Sequence, residues 1–201
     1  NSAVLKGIFE DDPKGWKLQG TIKSPWRITM TGPDLNALVN CDIVHNVCPA
    51  PDKQLYPGGL NTEWIEVGRA TWNWWSGSPV AFDDQKWWVD QAQKLGFECH
   101  LVDAGWNKQW NTPDRSKWDR MRELCNYGEK RGVGIWVWRE WKFLQTHEAR
   151  EDFYGMCQDV GVKGVKIDYM NNESKDVIDF YINSCKDAAK HKLMVNFHGA
   201  N

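Results

Sequence analysis

The stretch Gly161-Val162-Lys163-Gly164-Val165-Lys166-Ile167-Asp168-Tyr169-Met170 closes one element and opens another. Gly161 follows the helix-like segment His147 to Val160, and glycine is the residue type that ends helices in the left-handed conformation. Val165 to Met170 then reads as a strand. Side chains alternate along a strand, so Lys166 and Asp168 share one face while Val165, Ile167 and Tyr169 share the other. A helix, a glycine stop and a strand with one charged face make half of a βαβ unit.

Working outward, the same beat recurs. Strand-like runs stand at Ala70 to Trp75, Glu98 to Asp103, Gly134 to Trp138 and Leu193 to His198, at roughly the 30-residue spacing of βαβ units. Asp83 to Lys94, Ser116 to Arg131 and Ser174 to Lys190 lie between them with helical patterning. Ser116 and Ser174 are N-cap candidates, and Gly96 and Gly132 stand just past helix ends. The pattern predicts a parallel sheet covered by helices. The first strand-to-helix turn, Trp74-Trp75-Ser76-Gly77-Ser78-Pro79, lacks the glycine-rich phosphate cradle of an open dinucleotide-binding sheet. A (β/α)8 barrel gathers its reactive groups at the C-terminal ends of its strands, and those ends carry Asp103, Arg139, Glu140, Lys166, Asp168, Asn196 and His198. Five strands leave open edges and an unfilled interior. The expectation is therefore a partial TIM-type barrel over residues 66–201, within a longer polypeptide, with a complete open five-stranded sheet as the alternative.

Residues 1–65 have another texture. Pro13, Pro25, Pro33, Pro49, Pro51, Pro57 and Gly58-Gly59 break short apolar stretches such as Trp26 to Met30 and Ala37 to Val47. That predicts β structure and irregular connection, the tail of a β domain and its linker. The 25 Lys and Arg against 27 Asp and Glu give a formal net charge of -2, without the cationic surplus that a general nucleic-acid or anionic-membrane binder needs. No apolar run approaches the roughly 18 residues of a bilayer span. Fourteen Trp is an outlier; indoles suit the faces of sugars, although core filling is the ordinary role of each. Among the cysteines, Cys41 and Cys48 flank a short loop as a plausible disulfide, while Cys99, Cys125, Cys157 and Cys185 read as small buried hydrophobes.

Two charges facing a barrel interior are costly unless paired or used. Asp168 reads as a carboxylate nucleophile or electrostatic stabiliser, with Lys166 as its counter-charge and a donor to a substrate hydroxyl. A buried structural ion pair is the plain alternative. Parity brings Asn196 and His198 to one face, and strand two ends in Asp103 close to Trp106. Polar groups from three strands at one mouth suit a polyol pocket. On strand three, Trp136, Trp138 and Glu140 alternate with Val137 and Arg139; either set can face inward, or Glu140 and Arg139 can pair at the rim. His45, His100, His147 and His191 are scattered, and neither HExxH nor GxSxG occurs, which argues against a histidine-ligated metal hydrolase and a serine nucleophile.

The run Lys166-Ile167-Asp168-Tyr169-Met170-Asn171-Asn172 and the upstream Val102-Asp103-Ala104-Gly105-Trp106 resemble the KxD and DxGW elements of the α-galactosidase clan of retaining glycoside hydrolases. Four ordered pieces resemble glycoside hydrolase family 97 more specifically: Ser24-Pro25-Trp26-Arg27, Gly68 to Ser76, Gly161 to Asp168, and Val195-Asn196-Phe197-His198-Gly199-Ala200. The resemblance implies an N-terminal β-sandwich, a catalytic (β/α)8 barrel and a C-terminal β domain. This chain would hold the sandwich end and linker (1–65) and the first five barrel strands (66–201). It further implies a retaining branch, mainly α-galactosidases, whose nucleophile falls on Asp168. In an inverting branch, mainly α-glucosidases, that Asp is lacking and a Glu follows the strand-five His, where this chain has Gly199. Lys166, Asp103, Trp106, Asn196, His198 and Glu140 are the expected substrate-binding residues. The general acid/base would lie beyond Asn201, leaving this segment inactive alone. The resemblance also implies calcium, with no ligand assignable in this chain, a glycoside or oligosaccharide substrate, and a periplasmic or secreted bacterial home. The alternatives are an α-glucosidase of the same family and a non-catalytic carbohydrate-binding barrel.

Overall fold

A computed structural model describes residues 19–21, 26, 28–77, 79–171 and 174–200. Five strands, β1 (Ala70–Trp72), β2 (Cys99–Val102), β3 (Gly134–Glu140), β4 (Gly164–Asp168) and β5 (Met194–His198), form one sheet in the order β1-β2-β3-β4-β5. Every neighbouring pair is parallel. Ahead of them stand the single-turn helices α1 (Leu35–Val39) and α2 (Ile43–Val47); α3 (Phe82–Leu95), α4 (Trp106–Gln109), α5 (Lys117–Glu129), α6 (His147–Val160) and α7 (Lys175–Lys190) alternate with the strands. A doubly wound sheet reverses its strand order at a switch point. Here each unit adds its strand beside the last, and successive right-handed crossovers in one direction lay the helices on one face. α3, α5, α6 and α7 pack on one another in sequence. The architecture is a partial α/β barrel.

The two sheet faces follow from alternation. Val102, Val137, Val165 and Val195 stand in register across four strands, and the first three are fully buried under the helices, each burial contributing about 1.5–3 kcal/mol. The opposite parity carries Leu101, Trp136, Gly164 and Met194 in one row. Gly164 is glycine because the Trp136 indole lies across it: a Cβ there would fall 2.6 Å from the ring. Helix ends follow local chemistry as expected. Ser116 caps α5 in a reciprocal capping box with Asp119, the Ser174 hydroxyl accepts from Val177 N–H, and Gly96 and Gly161 close α3 and α6 with left-handed backbones. α6 spans the same residues, His147–Val160, that the helical pattern marks in the sequence.

Several expectations are corrected. Ala37 to Val47 is helical where it lies in α1 and α2, since the Asp34 carboxylate accepts Ala37 N–H at 2.8 Å and starts a turn, and no strand among the described residues pairs with it. Among the described residues the first strand is β1. The expected sandwich end falls partly on 1–18, 22–25 and 27, outside the described residues, as does most of Ser24 to Arg27. β1 stops at Trp72 and Trp74–Ser76 coil into a 3-10 turn; β4 stops at Asp168 because Tyr169 turns to a φ of 71°. Cys41 and Cys48 are unbonded thiols: the helix α2 stands between them, and its five residues span about 7.5 Å, beyond the usual reach of a disulfide. Cys185 is exposed rather than buried.

His100 is a polar group under the helix layer. Its Nε2 faces Gln85 Oε1 at 2.9 Å, and the Gln85 amide is oriented by donating to Ala81 O at 3.1 Å; Nδ1 lies 3.0 Å from Thr71 Oγ1. Burial pushes its pKa from 6.5 down to about 4. The unfolded chain then binds a proton that the folded chain refuses. Stability is full above about pH 6.5 and falls as pH drops toward 4, by on the order of 3 kcal/mol. Urea midpoints measured across that window should fall, and His100→Gln should flatten the slope; an unchanged slope would refute the assignment.

Candidate active site

The inner face of the sheet gathers polar groups toward the C-terminal ends of the strands. Trp138, Lys166 and Asn196 form one register row, and Glu140, Asp168 and His198 form the next. Asp103 sits one residue past β2. Lys166 Nζ donates to Asp103 Oδ2 at 2.8 Å and lies 3.5 Å from Asp168 Oδ2. It also stands 4.5 Å from the centroid of the Trp72 ring, a cation–π contact. The Trp72 indole N–H donates to Asp103 Oδ2, while Ala104 N–H donates to Oδ1 at 2.6 Å.

Asp168 is held at both oxygens. Trp138 Nε1–H donates to Oδ2 at 3.1 Å, Tyr169 N–H donates to Oδ1 at 3.0 Å, and His198 Nδ1 lies 3.3 Å from Oδ1. Asp103, Lys166 and Asp168 are almost fully buried, whereas the His198 side chain is half exposed. Two carboxylates share one ammonium, which leaves the cluster with an anionic surplus. A rigid, partly desolvated carboxylate in such a setting can attack an electrophilic carbon or stabilise positive charge developing on it.

The expected residues divide. Lys166, Asp103, Asp168 and His198 are brought together. Asn196 lines a cavity of about 510 Å³ with Trp72, Lys166 and His198, above a floor of Ala70, Leu101 and Met194. Glu140 stands beside Asp168 in register but pairs with Lys142 at 2.7 Å. Arg139 points to the helix side, its guanidinium 4.4 Å from the Phe143 ring centroid, so the rim pair with Glu140 does not form. Trp106 is corrected: it is fully buried against Trp110 and Trp118, its indole donating to Trp138 O at 2.9 Å. It braces β3 from behind instead of walling a pocket, because α4 begins at Trp106 itself and turns the ring into the core.

Sequence reasoning did not single out Trp72 and Trp138 as donors to the two carboxylates. Parity was the available signal, since Trp138 shares a face with Glu140 and stands in register with Lys166. For a metal, one group is close enough among the described residues: His147, Glu151 and Asp187. Arg150 and Lys190 donate to Asp187 at 2.9 Å each, and Lys190 lies 3.6 Å from Glu151. Calcium needs six to eight oxygen ligands and tolerates no such cations beside it. This cluster between α6 and α7 is therefore a salt-bridge network, and the calcium that the resemblance implies, with ligands mostly outside this chain, is assigned no ligand and no chemical step here.

Comparison with known proteins places this geometry. The family model for glycoside hydrolase 97 matches residues 64–201. Over 189 residues, 90% of this chain, the sequence is 36% identical to a probable retaining alpha-galactosidase of Streptomyces bingchenggensis. It is 28% identical over 194 residues, 88% of the chain, to the retaining alpha-galactosidase of Bacteroides thetaiotaomicron. The chain spans 29% and 27% of those two relatives, less than a third of either. A crystal structure of a beta-arabinopyranosidase superposes with a TM-score of 0.60 at 28% identity, covering 67% of this chain and 23% of that one. With the family model covering more than half of its length and charged groups converging at the strand ends of a partial α/β barrel, the chain belongs to glycoside hydrolase family 97.

Proposed function

We propose that the chain forms the first part of the catalytic barrel of a retaining exo-glycosidase that removes terminal α-linked sugars, α-galactosides foremost, with Asp168 as nucleophile. The observation that carries this reading is the seat of Asp168, a buried carboxylate held by Trp138, Tyr169 and His198 with Lys166 beside it. In the first step an Asp168 oxygen bonds to the anomeric carbon as the bond to the leaving oxygen breaks. A carboxylic acid from beyond residue 201 gives its proton to that oxygen. Water then attacks the same carbon and yields a proton to the same group, and the ester to Asp168 breaks to regenerate the carboxylate. Two inversions leave the anomeric configuration retained. The anionic surplus of the cluster stabilises the oxocarbenium-like transition state.

Lys166 and Asp103 are placed to bind ring hydroxyls, with Asn196 and His198 at the edge of the cavity. Trp75 and Tyr169 present exposed rings near the mouth, Trp75 5.7 Å from Trp72, and such faces suit the apolar side of a sugar. The names of the two alpha-galactosidase relatives support the sugar and the stereochemistry. A glycoside partner, the remainder of the same polypeptide and a periplasmic or secreted setting are part of this proposal.

The test uses the full-length protein with p-nitrophenyl α-galactoside and α-glucoside, followed by proton NMR. The α-anomer of galactose should appear first. A β-anomer appearing first would overturn Asp168 as nucleophile, faster turnover of the glucoside would reassign the sugar, and no turnover of either would favour a non-catalytic carbohydrate-binding barrel.

A further inference from the structure

We propose that Gly199 is a positioning residue for Asp168: the missing side chain at this position forms one wall of the seat in which the carboxylate is held. The inference rests on the reading of Asp168 as nucleophile and extends it to the residue after β5. Asp168 and His198 are the last register pair of β4 and β5. Beyond that pair the two chains stay joined, since Tyr169 N–H reaches His198 O at 3.2 Å and Asn171 N–H donates to Gly199 O at 3.3 Å. Tyr169 and Asn171 adopt φ values of 71° and 53°, and Gly199 adopts 60°. The left-handed region is disfavoured for a tyrosine, and here that conformation has a visible product: the Tyr169 N–H is turned onto Asp168 Oδ1 at 3.0 Å.

Gly199 closes the other side of that oxygen. A Cβ built at Gly199 would fall 2.7 Å from Asp168 Oδ1, 3.1 Å from Tyr169 N and 3.5 Å from Tyr169 Cα. Carbon does not approach oxygen at 2.7 Å without displacement. Neither neighbour can yield cheaply, because Oδ1 is already fixed by Tyr169 and His198, and the Tyr169 backbone is tied to β5. Any side chain at 199 would therefore push the carboxylate out of its place. Misplacing a reacting group by about 1 Å can lower rate by about 10²-fold.

The experiment is a double-mutant cycle in the full-length enzyme. Gly199→Ala should lower kcat by on the order of 10²-fold, with a smaller change in KM. Asp168→Gly should abolish turnover, and azide should restore it by attacking the anomeric carbon from the vacated side and expelling p-nitrophenolate, giving an inverted glycosyl azide. In that azide-rescued background the Gly199→Ala substitution should cost several-fold less, because the oxygen it would strike is gone while the contact with Tyr169 N remains. Urea midpoints of the four proteins should show the same coupling. Turnover of Gly199→Ala within threefold of the parent, or an equal loss in both backgrounds, would overturn the inference. Where azide gives no rescue, equal stability loss in both backgrounds would overturn it. Undiminished turnover of Asp168→Gly alone would instead overturn the nucleophile reading.

Discussion

Asp168→Ala in the full-length protein is expected to lower kcat/KM for an aryl α-galactoside by on the order of 10⁴-fold or more. On the proposed mechanism the substitution removes the group that forms the covalent bond, and neither nearby carboxylate is placed to replace it. Asp103 is buried and its oxygens are already engaged, accepting from Trp72, Ala104 and Lys166. Glu140 is engaged with Lys142. The fold should survive, because deleting Asp168 leaves Lys166 and Asp103 as a neutral pair at 2.8 Å and ends the anionic surplus. Kinetics and a urea melt on the same preparation check both halves. Turnover within tenfold of the parent would sink the mechanism, whereas a collapsed melt would show that the loss was structural.

Lys166→Met is expected to cost about 3–5 kcal/mol of folding free energy, the range seen when one partner of a buried charge set is removed. Lys166, Asp103 and Asp168 are exposed by only 3%, 3% and 5%. Methionine fills much of the lysine volume but leaves two carboxylates facing each other without a cation. The contact with the Trp72 ring is lost as well. Adding Asp103→Asn should recover part of the loss, since one carboxylate held by Trp138 and Tyr169 remains. Urea unfolding of the single and double variants decides the matter. A loss below about 1 kcal/mol in the single variant would mean that water already screens the cluster.

Gly199 and Trp106 show the two ways in which position carries information that residue type does not. Both lie in recognisable motifs. The ring of Trp106 invites a place in the pocket wall, yet α4 turns it into the core. Gly199 offers no side chain to interpret, yet its bare Cα faces the Asp168 carboxylate. Trp72 and Trp138 read as core filling in a tryptophan-rich chain, and they donate to Asp103 and Asp168.

Read alone, the sequence shows the five strands, the four long helices between them though not the short α4, most of their caps, and the shared faces of Lys166 with Asp168 and of Asn196 with His198. Each of these depends on alternation, helical period or a terminal hydrogen bond, which neighbours within a few residues settle. The partial barrel was also legible, from the strand-helix beat and the missing phosphate cradle, and the sequential strand order bears it out; tertiary structure alone decided which face of β3 meets the site. It also decided that Ala37 to Val47 includes helical turns, that Cys41 and Cys48 stay apart, and that His100 is held neutral under α3. These depend on groups brought together from distant parts of the chain, where packing and charge balance select one orientation among those that local preference allows.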